Sequence, residues 1–179
     1  LIFSMLCKNI SFFNMKKKRG NNIMKEKSKA TMLYKEMKDK HSKEYDNFSK
    51  DKVFYAFSDD QFKEGMQKLH LDADKDEDLK KIVHFFSGCY ALKSEAKNLE
   101  NLLASFTEEQ KKLIEEDTTG DGFIYSMFKY ELANHEYGYT YDLEDTLEAL
   151  SLTYEEVQEK PNLKKGLEKA LAEYKEEYE

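Results

Sequence analysis

Proline occurs once in the 179 residues, at Pro161, arginine once, at Arg19, cysteine twice, and tryptophan not at all. One proline and seven glycines exclude collagen-like and low-complexity chains, and two cysteines, Cys7 and Cys89, exclude a disulfide scaffold. No stretch approaches the roughly 18 consecutive apolar residues that a membrane-spanning helix needs. The lone Arg19 leaves everything after it without the guanidinium forks that read phosphate or guanine. Glycine-rich phosphate loops, spaced Cys/His zinc ligands and a serine nucleophile motif are all missing, and His41, His70 and His84 are too scattered to form a ligand set. No cofactor is expected.

What is present is aromatic and acidic. Twelve Phe and twelve Tyr supply a core, and 40% hydrophobic residues at a mean hydropathy of -0.84 fit a modest one. Residues 1–33 hold eight Lys/Arg against one acid, so a net charge of -7 leaves -14 for the rest. Between Glu108 and Glu159 fifteen acids face only Lys111, Lys112 and Lys129. A surface that negative repels phosphate backbones and suits a basic protein groove, which argues against direct nucleic-acid binding by the folded body. The basic stretch 1–33 is expected to be an extension outside the fold or upstream of the true start. No charge precedes its apolar residues and Lys8 interrupts them, unlike a secretory signal. The expected compartment is the cytoplasm, and residues 34–179 are expected to form a single acidic globular domain.

The periodicities predict an α+β, mainly helical fold of about six to eight helices with one small two-stranded sheet. A charged helix is expected from Met24 to about Asn47, with Met32, Tyr34, Met37, His41 and Tyr45 as its less polar positions. Val53–Phe57 reads as a strand, and Ser58 with Gln61 as the capping box of a helix whose Phe62, Met66 and Leu69 share a face. A second helix is expected from Asp76, turning Leu79, Ile82, Val83 and Phe86 inward, before a second strand over Gly88–Leu92. Tyr90-Ala91-Leu92 echoes Tyr55-Ala56-Phe57. The next helix buries Ala96, Leu99, Leu103 and Phe106, and Thr107 with Gln110 reads as the start of another. Asp117–Gly122 breaks the chain ahead of a helix over Phe123–His135. Leu143, Thr146, Leu147 and Leu150 share a helical face, a short helix begins near Thr153, and Pro161 opens the last one, with Leu163, Leu167, Ala170, Leu171, Tyr174 and Tyr178 on one stripe.

Two motifs bear on chemistry. Asp117, Thr119, Asp121, Gly122 and Ile124 fall on an EF-hand calcium loop, but Phe128 stands where the bidentate carboxylate belongs, so a helix-to-helix turn is the expected role. In the following helix Glu131 and His135 sit one turn apart within the apolar stripe of Ile124, Phe128 and Leu132. A charge there must have partners. The plain role is a structural hydrogen-bonded pair. The chemical alternative is a hydrolase or nuclease with Glu131, His135 and Glu136 as catalytic groups and a metal held by Asp117, Asp121 and Glu131. The partner-binding surface is expected from Glu136, Tyr139, Tyr141, Asp142, Glu144, Asp145 and Glu148.

The stretch Phe54–Met66 (FYAFSDDQFKEGM) and GFIYSMFKYELANHEYGYTYDLEDTLEALSLTYEEV from Gly122 to Val157, with Pro161, Leu163, Gly166 and Leu167, resembles a family of small acidic proteins carried on phages and conjugative elements of Firmicutes. The resemblance covers most of the chain from about residue 50 onward. It brings no catalytic residues with it. It implies a setting, a bacterium hosting a mobile element, in which small acidic proteins act against host defence, including as anti-CRISPR proteins that block a Cas nuclease. An accessory role in element transfer or replication is the other reading.

Overall fold

The computed structural model describes residues 29–178. Nine helices and one three-stranded antiparallel sheet make an α+β, mainly helical protein among the described residues. Contacts group the chain into two compact units, one made of the chain up to Lys40 with Thr107–Glu179, the other of His41–Phe106. Helix α1 (Lys29–Ser49) and helix α4 (Ala96–Glu116) each contribute to both. Most of the basic extension expected over residues 1–33 lies outside the described residues; its last five, from Lys29, are already helical. None of the helices so described is long and apolar enough to cross a membrane.

The unit His41–Phe106 contains β1 (Val53–Tyr55), α2 (Asp59–Lys68), α3 (Asp76–Leu79), β2 (Ile82–Phe86) and β3 (Cys89–Leu92), with strand order β1-β3-β2. Strand β1 is shorter than expected because the chain turns into α2 at Phe57. There the Phe57 amide donates to Gln61 Oε1 at 2.7 Å, while Ser58 Oγ accepts from the Gln61 amide. The helix expected through Phe86 stops at Leu79, and Ile82–Phe86 is a strand, so the sheet has three strands rather than two. The spacing of Leu79, Ile82, Val83 and Phe86 fits a helix, but β-branched and aromatic residues pack well on a pleat and β3 offers a partner: Ile82 pairs with Leu92 and Val83 with Ala91. Gly88 closes that hairpin at φ +73°, a conformation L side chains rarely adopt, and a Cβ there would stand 2.7 Å from Ala56 O. Phe54, Ala56, Met66 and Leu69 form this unit's apolar cluster, with the Phe54 and Tyr90 rings stacked at 5.2 Å. Burial pushes the free Cys89 thiol up to about 11, against the opposing pull of hydrogen bonds with the Tyr55 and Tyr45 hydroxyls.

The other unit adds α5 (Phe123–Asn134), α6 (Tyr137–Thr140), α7 (Glu144–Leu150), α8 (Tyr154–Glu159) and α9 (Pro161–Tyr178). Helix α5 is its centre: Phe123 through Phe128, Glu131 and Leu132 are all buried, so it is apolar nearly all round. Helix α9 packs on it through Leu163, Leu167 and Ala170, with Leu171 and Tyr174 half-buried; the Tyr178 side chain lies outside the described residues. Gly166 permits the approach, since a Cβ would lie 2.5 Å from Ile124 Cγ2 and 2.9 Å from Gly120 O. No helix starts at Thr107: α4 runs unbroken from Ala96 to Glu116. Thr107 and Gln110 have the spacing of a cap, but the apolar positions continue to Leu113 and Ile114 with neither glycine nor proline between, and an uninterrupted ladder needs no cap. The short helix expected near Thr153 starts there in a capping box, with Thr153 Oγ1 accepting from the Glu156 amide and Glu156 Oε2 from the Thr153 amide.

Candidate functional site

Glu131 is fully buried, and so is Tyr34 at 1% exposure. The Tyr34 hydroxyl donates to Glu131 Oε1 at 2.8 Å, Lys38 Nζ donates to the same oxygen at 3.1 Å, and Asn134 Nδ2 donates to Oε2 at 3.2 Å. His135 Nε2 stands 3.6 Å from Oε2, an electrostatic neighbour rather than a hydrogen-bond partner, and is itself buried without one. Burial alone would raise the Glu131 carboxyl, but His135, the Lys38 ammonium and the Tyr34 hydroxyl outweigh it and hold it down at about 2. Burial and the Glu131 charge push Tyr34 well above the ordinary tyrosine range and Tyr130 up to about 12. The partners that a stripe charge demands therefore come from α1, one turn apart at Tyr34 and Lys38. Tyr34 reads in the sequence as a less polar helix position. Its hydroxyl and the Lys38 ammonium, on the side of α1 that also carries buried Met37, are the signal that could have paired them with Glu131.

A general base must reach the proton it takes. Glu131 is closed to solvent and its oxygens already accept three donors, while Glu136 lies on the surface, so the arrangement works as a structural anchor between α1 and α5. Asp117 and Asp121 are likewise engaged. Asp117 Oδ1 accepts from the Gly120 amide and Thr119 Oγ1, and its Oδ2 accepts from the Gly122 and Ile124 amides, each at 3.0–3.1 Å. The carboxylate thus satisfies amides at the start of α5, where a negative charge is favoured. Asp121 accepts from Lys165 Nζ at 2.6 Å and Lys169 Nζ at 3.2 Å, tying this loop to α9, and those two cations hold its carboxyl low. Among the described residues no three His, Cys, Asp or Glu side chains converge to hold a metal ion, so Asp117, Asp121 and Glu131 are not brought together as a ligand set.

The residues expected to bind a partner do share one surface property. Glu136, Tyr139, Tyr141, Asp142, Glu144, Asp145 and Glu148 are all exposed, Tyr139 by 83% and Tyr141 by 71%. Glu136 and Tyr141 are both left-handed, at φ 55° and 54°, and bracket the single helical turn of α6. Asp142 Oδ1 accepts from the Glu144 amide at 2.9 Å and so helps start α7. Among the described residues no lysine pairs with any of these five carboxylates, whereas Glu109 and Glu173 each hold one and Asp121 holds two. On the inner side of α7, Thr146, Leu147 and Leu150 are buried, and Thr146 Oγ1 has no hydrogen-bond partner.

The model of a family of unknown function, DUF7659, matches residues 33–173. The chain belongs to DUF7659. No curated protein and no solved structure matches it. The DUF7659 span opens one residue before Tyr34, and it takes in the whole Glu131 cluster, the Asp117 loop and the exposed run from Glu136 to Glu148.

Proposed function

We propose that this protein is a non-enzymatic acidic binder from a mobile element, acting in the bacterial cytoplasm and inhibiting a host defence nucleoprotein, most concretely a Cas nuclease. It would do so by laying the negative helical surface around residues 136–148 into a basic groove that otherwise holds nucleic acid. The observation that supports this reading is the set of exposed carboxylates at Glu136, Asp142, Glu144, Asp145 and Glu148, left without cationic partners among the described residues and interleaved with exposed Tyr139 and Tyr141. Charge of one sign steers encounter with a basic partner and competes with phosphate for the same cations. It also keeps nucleic acid itself off the folded body.

The test is target-DNA cleavage by purified Cas9 ribonucleoprotein with increasing amounts of this protein. Inhibition is expected, relieved by added salt and by the combined change Glu144→Lys, Asp145→Lys and Glu148→Lys at unchanged helical circular dichroism. Full cleavage at saturating protein, with no complex on a sizing column, would remove Cas9 as the target.

A further inference from the structure

Two exposed tyrosines distinguish the 136–148 surface from an ordinary solvated acidic face. The Tyr139 and Tyr141 rings are 83% and 71% open, and both lie within six residues of Glu136, Asp142, Glu144 and Asp145 in the chain. Tyr141 is steadied from behind: its ring meets Tyr137 edge-on at 5.9 Å, and Tyr137 meets Tyr174 of α9 at 5.9 Å and 90°. An open ring held by its neighbours costs little entropy when something stacks on it.

Resting on the binding reading above, we infer that the group recognised at this surface is the arginine side chain, so that the partner is a protein whose basic face is built from arginines rather than lysines. A guanidinium is planar and weakly hydrated; it can lie flat on a tyrosine ring while its N–H fork donates to a neighbouring carboxylate. An ammonium is a strongly hydrated point charge that gains mainly from the carboxylates. Charge alone would make the two cations equivalent; the rings separate them. A second copy of this chain is a poor occupant, because its only arginine is Arg19.

The inference is tested with deca-arginine and deca-lysine peptides, titrated calorimetrically into the full chain at equal ionic strength. Deca-arginine is expected to bind about tenfold more tightly, the equivalent of about 1.4 kcal/mol. Tyr139→Leu with Tyr141→Leu should erase that preference while leaving deca-lysine binding within about twofold, and Tyr139→Phe with Tyr141→Phe should keep it, since the ring and not the hydroxyl is used. Equal binding of the two peptides, binding of neither, or a preference that survives the leucine pair would overturn the inference. Equal binding leaves the basic-groove reading standing, because that reading needs only charge; its own failure is read separately, in the cleavage assay.

Discussion

Tyr34 donates its hydroxyl proton to Glu131 Oε1 over 2.8 Å, across 97 positions of sequence. Both side chains are buried, so the contact ties α1 to the centre of α5 with a charge-assisted hydrogen bond that water does not weaken. Tyr34→Phe keeps the ring and removes the donor. The loss is expected to be about 1–3 kcal/mol in a urea titration, because Glu131 stays ionised and short of a partner. A change below a few tenths of a kcal/mol would mean that Lys38 and Asn134 suffice.

The same carboxylate sets an acid limit. Its folded value of about 2 lies below the ordinary 4.5, so its stabilising contribution is complete above about pH 4.5 and is lost as pH falls toward 2. Unfolding midpoints measured from pH 7 down to about pH 3 should decline over that window. Glu131→Gln should flatten the decline and lower the neutral-pH midpoint, because Lys38 then lacks its counter-charge. A decline of the same steepness in Glu131→Gln would assign the acid sensitivity elsewhere.

His135 separates structure from chemistry. At 3.6 Å from Glu131 Oε2 it lies beyond hydrogen-bond reach yet helps to hold that buried carboxylate ionised, so His135→Ala is expected to cost about 1–3 kcal/mol. The purified protein with magnesium or manganese is expected to leave RNA and DNA intact. Metal-dependent cleavage that disappears in His135→Ala at unchanged stability would replace the binding reading with a hydrolytic one.

Two substitutions probe the packing around α5. Gly166→Ala places a methyl 2.5 Å from Ile124 Cγ2 and 2.9 Å from the Gly120 carbonyl, which is backbone and cannot rotate away, so a loss of about 1–3 kcal/mol is expected. Thr146→Val removes a buried hydroxyl that has no partner, and its melting temperature should hold or rise. A fall of several degrees would reveal a bound water serving that hydroxyl.

Where the physics is local, the elements were legible. The stripe Leu163, Leu167 and Ala170 is buried as its spacing requires, the break at Asp117–Gly122 stands where helix-poor residues cluster, and a short helix begins next to Thr153. The misreadings came from motifs whose meaning depends on surroundings. Thr107 and Gln110 have the spacing of a cap yet lie inside α4, and Ile82–Phe86 carries a helical spacing yet pairs as a strand. Glu131 was visible as a charge in need of partners; Tyr34, Lys38 and Asn134 were not visible as those partners.

The sequence by itself determined most of the helices, the break at Asp117–Gly122, and that negative charge accumulates between Glu108 and Glu159, because helical periodicity and charge are properties of neighbouring residues. The tertiary structure alone decided that Ile82–Phe86 becomes the third strand, that Asp117 serves four donors of its own loop and helix start, and that Glu131 is neutralised from α1. Strand pairing and the burial of a carboxylate are settled by which distant groups arrive within about 3 Å, and no local pattern carries that distance.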